Sequence, residues 1–414
     1  MNHVTVLALV GIVLVGFPAA EVNGADSALE LQVRSNIVDG FNLPPNSSFN
    51  SKTPSLAEDG QVAVSLSVVG GDVNTVGLWL GGDGSGSVVW SDNSGAFVSD
   101  CSLNESGLAV FELSFITPDG IYHYDASDGS SGLLTDRPLG TSGWGSPQVN
   151  ATDQLGYRAS FLGDYAWVSW DGDSDVQVHA AVEGVDAMSP YWYLYTPAFN
   201  DLRQIAGKAS LVSDNAADQI IRCQPSGPCT VIAEDQTSNP GSPYTGFANS
   251  VGFDNLGRVA FKATTDDGGE GVYLSDGTTT VVIATTASAE IGSFEGFAPR
   301  SNNLGQVVFR AIDGAGLQAI FVGDGVELRK VVTEHDVVPT DLGPGRVDQH
   351  DTSTVFGGNP VINDRGDVAF IASLTPEGDN QIEWGSGLFV APGGQIFGDG
   401  FESGGFSAWS STTP

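Results

Sequence analysis

The chain has 414 residues, 41% of them hydrophobic and 16% charged, with 55 glycines and a formal net charge of −35. Its 50 acidic side chains against 15 basic ones repel phosphate backbones and anionic headgroups, which argues against nucleic-acid binding. Abundant glycine with little charge fits short strands joined by many tight turns, and the length suffices for one large core or two medium ones.

In chain order, Val4–Phe17 is an apolar run of 14 residues, too short for a comfortable membrane span of about 20. Val22 and Gly24 are small enough for the −3 and −1 positions of a signal peptidase site. Residues 1–24 therefore read as a secretory signal, with the mature chain beginning at Ala25. The segment before the apolar run carries His3 but no Lys or Arg, which departs from such signals and points to a translation start further upstream. No later run approaches 18 apolar residues, so no transmembrane span is expected.

From Ser55 onward one phrase recurs: "SLAEDGQVAVSL", "SLNESGLAVFEL", "ATDQLGYRASFL", "AFNDLRQIAGKA", "GFDNLGRVAFKA", "RSNNLGQVVFRA" and "VINDRGDVAFIA". Its sixth position is Gly60, Gly107, Gly156, Arg203, Gly257, Gly305 and Gly366, at spacings of 47, 49, 47, 54, 48 and 61 residues. Three residues earlier stand Asn104, Asp153, Asn200, Asp254, Asn302 and Asn363, with Ala57 in the first copy. An Asn or Asp there starts a type I turn, and a left-handed glycine closes it into a hairpin. Arg203 is strained in that role unless its turn differs. The strand after each turn is bulky on one face (Val64, Phe261, Phe309, Phe370) and small on the other (Ala63, Ala159, Ala206, Ala260, Ala369). Strands apolar on both faces are covered on both sides.

A second hairpin follows each phrase, as in "GVYLSDGTTTVVIA" at Gly271–Ala284 and "AIFVGDGVELRKVV" at Ala319–Val332. Seven units of four antiparallel strands define an all-β, seven-bladed propeller. An open solenoid or two β-sandwiches are the alternatives. Leu29–Val33 ("LELQV") resembles the last strand of a unit and is expected to close the ring beside Gly387–Phe397. The propeller is expected over residues 25–394, with a C-terminal tail over 395–414 and a monomeric state.

The phrase resembles the tandem "NxxGxxAF" repeat of exported bacterial proteins with varied C-terminal anchors; "NNLGQVVF" and "NDRGDVAF" match it well, and the resemblance covers Ser55–Val390. The tail "IFGDGFESGGFSAWS" resembles a segment near "DGFESGDTSAWS" on secreted proteins of Gram-negative bacteria, departing at Gly405 and Phe406. The resemblance implies export and a secreted or cell-surface location. It carries no catalytic residues to transfer.

Export also permits a disulfide, and Cys223 and Cys229 bracket a Pro-Gly loop in "IIRCQPSGPCTVI", a hairpin stapled at its ends. Cys101 is left as a buried free thiol.

Three regions exceed what the repeat requires. The 61-residue gap holds "TEHDVVPTDLGPGRVDQHDTSTVFGGNP", with His335–Asp336, His350–Asp351, Arg346 and Asp348. Such residues bind ligands or perform acid-base work, but the spacing matches no zinc motif and dictates no third ligand, so no metal is expected. "SPYWYLYTP" sets Tyr191, Tyr193 and Tyr195 on one face with Trp192 opposite, the kind of surface that stacks on sugars or instead packs between blades. "WDGDSDVQ" offers Asp171, Asp173 and Asp175, but Val176 and Val182 replace the Gly and Glu of an EF-hand, leaving only a weak calcium site.

Two function classes follow. One is a non-catalytic exported scaffold that binds a glycan, a cell-surface component or an ion. The other is a secreted propeller hydrolase or lyase acting on glycans, with His335 or His350 facing the central channel. The repeat is explained by turns and packing without an activated nucleophile, which favours the scaffold.

Overall fold

The computed structural model describes residues 29–36, 39–49, 51–116, 118–136, 147–161, 163–172, 176–225, 227–350 and 354–393. The leader, the tail, Asp173, Asp175 and Asp351 lie outside them.

The described strands form seven antiparallel sheets, one per repeat. Blade 5 shows the pattern. Gly252–Phe253 turns into Val259–Thr265, followed by Glu270–Ser275 and Thr280–Thr285, each pairing with its predecessor. The innermost strand has a second piece, Tyr244–Phe247, which pairs with the far end of Val259–Thr265. A register shift between Tyr244 and Gly246 marks the irregularity. The expected four strands per unit are thus present, with the inner one broken into two pieces in blades 2, 4, 5 and 6.

The ring closes as expected, with bounds shifted by one residue. Glu30–Arg34 forms the outermost strand of blade 7 and pairs antiparallel with Gly387–Val390, within Gly385–Ala391. Arg34 locks this clasp. It is fully buried, donates Nε and Nη2 to the two carboxylate oxygens of Asp341 at 2.8 Å each, and donates Nη1 to Trp384 O at 2.7 Å.

The alternation of large and small residues fits each blade to its neighbour. Phe309 of blade 6 packs with Ala260 of blade 5, Phe261 with Ala206 of blade 4, Phe111 with Ala63, and Val64 with Ala369. A ring set against an Ala methyl fills the wedge between two twisted sheets without a void.

The third repeat corrects the sequence reading. Its turn begins at Asn150, whose Oδ1 accepts from Thr152 N and Gln154 N, and the left-handed residue is Asp153 with φ 61°. Gly156 was expected in that role but lies inside Leu155–Phe161. There it takes the small slot in place of Ala159, because a Cβ would stand 2.3 Å from the Phe199 ring. Tyr157 fills the bulky slot and is fully buried. In the fourth repeat the turn is ordinary, and Arg203 adopts φ 58°. Cys223 and Cys229 are disulfide-bonded and Cys101 is a buried free thiol.

Replacing Arg34 by Ala would leave the Asp341 carboxylate and the Trp384 carbonyl without their donor at the seam of the ring. A loss of about 3 kcal/mol is expected in urea denaturation. A loss under about 1 kcal/mol would show that the clasp does not depend on this residue.

Candidate functional site

The 61-residue gap is a third hairpin instead of a loop. Val337–Thr340 pairs with Gly343–Val347, which in turn lies along Val368–Pro376 of blade 7. Folding that hairpin back brings Arg346 and Asp348 beside His335. His335 has φ 77°, and its N–H donates to Val347 O at 2.7 Å. Its Nε2 stands 3.7 Å from Glu334 Oε1 and 3.8 Å from Asp348 Oδ2. Arg346 Nε is 3.3 Å from the same Asp348 oxygen. Asp348 is buried, whereas the His335 side chain is 41% exposed.

Asp336 does different work. Its Oδ2 accepts from Thr333 N at 2.7 Å and its N–H donates to Thr333 O, closing the turn out of blade 6. His350 is exposed and stands outside the cluster. Glu334 went unremarked in the sequence because a lone Glu beside a His has no motif; only the folded hairpin supplies its partner, Asp348.

The aromatic segment divides. Tyr193 stacks edge-on between Tyr165 and Tyr195, at 5.4 and 4.7 Å, and its hydroxyl accepts from Arg158. This is packing between blades 3 and 4. Tyr191 is partly buried, and burial raises its phenol pKa. Trp192 alone is turned outward, 57% exposed. Asp171, at the candidate calcium tip, lies 3.7 Å from Arg203 Nη1.

The sequence reading missed the axis of the ring. Seven inner strands present equivalent positions to a central tunnel. A cavity of about 360 Å3 is lined by Ser55, Asp100, Ser102, Gln148, Arg300 and Asn359, among others. None of its lining residues is a histidine. Arg300 is the sole basic residue of that lining. Protein surrounds it, and the cavity keeps it open to solvent. Burial lowers its pKa and Asp100 opposes that shift. Its hydrogen bond among the described residues is a long one, from Nη1 to Val251 O at 3.4 Å.

Below that layer, towards the repeat turns, a smaller cavity of about 150 Å3 is ringed by Glu58, Glu105, Asp201, Asn255, Asn303 and Asp364. These residues link the blades in series. Asp201 N donates to Asn255 Oδ1, Asn255 N to Asn303 Oδ1, Asn303 N to Asp364 Oδ1, and Asp364 N to Glu58 Oε2 at 2.8 Å. Burial, then the charges of Asp364 and Glu105, push the Glu58 carboxyl up to about 7.

Two candidate nucleophiles among the described residues, Cys101 and Ser169, are poorly placed. Burial pushes the Cys101 thiol up to about 12, so it lines the tunnel as a neutral thiol. His179 Nε2 pairs with Ser169 Oγ at 2.8 Å, but Ser169 is fully buried, and burial lowers His179 to about 4.

This frame and its polar axis define a seven-bladed β-propeller with a polar axial cavity. The chain belongs to the family of unknown function DUF7453, whose model matches residues 140–403. Among solved structures, it resembles an oligogalacturonate lyase from Vibrio parahaemolyticus at 9% identity and TM-score 0.55, covering 88% of this chain and 97% of that one. A puromycin hydrolase matches at 12% identity and TM-score 0.51, over 79% and 50% of the two chains. TolB from Acinetobacter baumannii matches at 15% identity and TM-score 0.45, over 65% of this chain and 62% of its own length. Likeness at these identities establishes the fold alone. No curated protein sequence matches the chain.

The raised Glu58 carboxyl links stability to pH. The folded chain favours the protonated acid, so this contribution is fully present below the ordinary value of 4.5 and is lost as pH rises through about 7. Glu58→Gln keeps an acceptor for Asp364 N–H without the charge. Relative to wild type, the variant should gain stability progressively between about pH 4.5 and pH 7, as read by urea denaturation. A pH-independent difference would contradict the assignment.

Proposed function

We propose that this chain is an exported, non-catalytic binding propeller whose axial cavity receives a ligand bearing a single carboxylate, such as an acidic sugar unit. The observation that carries this reading is Arg300, a lone guanidinium held in a polar cavity of about 360 Å3 inside a chain of net charge −35. That volume falls within the range of ligand pockets. A guanidinium presents a planar fork that matches the two oxygens of a carboxylate. One cation favours a monoanion, because Asp100 in the same cavity and the carboxylates beyond it repel additional negative charge. The same carboxylates disfavour approach of an anion from the repeat-turn face, so entry is from the opposite mouth.

The binding reading is preferred over a glycan hydrolase or lyase on chemical grounds. Neither histidine of the extra hairpin lines the tunnel, the tunnel thiol is neutral, and the Ser169–His179 pair is sealed inside blade 3. Export is supported by the leader-like residues 1–24 and by the tandem "NxxGxxAF" phrase. The "DGFESG" tail fits a sorting or anchoring segment at the cell surface of a Gram-negative bacterium.

Calorimetric titration with glucuronate and with glucose tests the reading. Glucuronate should bind and glucose should not, and Arg300→Gln should weaken glucuronate about tenfold or more while leaving the melting temperature near that of wild type. Equal binding of both sugars, or affinity unchanged in the variant, would overturn the carboxylate assignment.

A further inference from the structure

We propose that Glu334, His335 and Asp348 form a site for one divalent transition-metal ion of the zinc class, separate from the axial cavity. The three donor atoms all lie within 4.8 Å of one another. Ligand bonds of about 2.0–2.2 Å place neighbouring donors somewhat over 3 Å apart. The 3.7 and 3.8 Å separations from the imidazole need contractions of only tenths of an ångström, and the two carboxylate oxygens, within 4.8 Å of each other, close the rest by side-chain rotation.

The carboxylates are arranged for this. Glu334 Oε2 accepts from Gln318 N at 3.1 Å, and Oε1 is turned towards the imidazole. Asp348 Oδ1 accepts from Gln349 N at 2.8 Å, and Oδ2 is turned towards the same imidazole. Each acid thus spends one oxygen on a backbone N–H, as metal-ligating carboxylates do, and aims the other at a common point. The backbone fixes the third donor. Glu334 N donates to Gln318 O, His335 N to Val347 O, and Asp348 N to Ser373 O, which ties the extra hairpin to blades 6 and 7. The exposed flank of His335 leaves room for water to complete the coordination shell.

Charge favours a dication. Two carboxylates and the Arg346 guanidinium sum to −1 beside a neutral imidazole, so an ion of +2 leaves +1. One imidazole nitrogen with two carboxylate oxygens suits zinc, cobalt or manganese better than calcium, which prefers oxygen donors throughout. Arg346 competes for Asp348 Oδ2. That sets the sign of its effect: removing the guanidinium tightens the ion.

The test is titration of the mature chain with Co2+, read by visible absorption, and with Zn2+, read by calorimetry. Excess calcium is present to fill oxygen-only surface sites. One equivalent should bind. His335→Ala should abolish the cobalt spectrum. Glu334→Gln and Asp348→Asn should each weaken zinc about tenfold or more, and Arg346→Ala should strengthen it. His350→Ala, outside the cluster, should change nothing. Circular dichroism checks folding, and Glu334→Gln decides the matter if His335→Ala misfolds. Failure of Co2+ and Zn2+ to bind, or equal binding by the folded His335 and Glu334 variants, would overturn the site. The cluster would then be a structural contact of the two carboxylates with the imidazole and Arg346.

Discussion

The structure depends on one side-chain amide used twice. In each complete repeat turn the Asn accepts backbone N–H groups with Oδ1, closing its own turn, and donates Nδ2 to a carbonyl of the next blade. Asn104 Nδ2 reaches Asn150 O at 2.8 Å, Asn200 reaches Asp254 O at 2.9 Å, Asn302 reaches Asn363 O at 2.8 Å, and Asn363 reaches Ala57 O at 3.2 Å. A hydroxyl holds its donor and acceptors on one atom, whereas an amide sets an acceptor oxygen and a donor nitrogen on separate atoms, so one can face its own turn and the other the next blade. Where the repeat has Asp254, the donor is lost, and Arg258 replaces it by bonding both Asp254 Oδ2 and Asn303 O. The turn chemistry of one blade is therefore also the joint to the next.

That joint places the axis. Because the amides hold the turns in register, the residues flanking them fall into layers around a tunnel. One layer carries Arg300, and the layer nearer the turns carries carboxylates that accept N–H groups from neighbouring blades. A strongly acidic chain thus holds a buried cation with an acidic ring beneath it. Net charge describes long-range encounter; Arg300 and Asp100 set the local chemistry of the cavity wall.

The extra hairpin of blade 7 departs from the repeat and serves two purposes. Through Asp341 it covers the clasp formed by Arg34, and through Arg346 and Asp348 it builds the cluster around His335. The blade that must receive the N-terminal strand is also the one that carries additional polar side chains.

The sequence by itself determined the number of blades, the closing strand, the disulfide pair and the free thiol, because turns, alternation and cysteine spacing are local signals that need no partner to be read. It misplaced the third turn by three residues, because Asp153 and Gly156 both suit a left-handed position and only the fit of Gly156 against Phe199 separates them. It named His335, Arg346 and Asp348 without Glu334, and it grouped them with Asp336, which closes a turn, and with His350, which stands outside the cluster. Arg300 was invisible, since one Arg in a strand carries no pattern. Only the tertiary structure decided these matters. The tunnel is lined by strands from all seven blades and exists only once the ring has closed, while the four-residue cluster needs the hairpin of residues 337–347 to fold back and bring Asp348 and Arg346 beside His335.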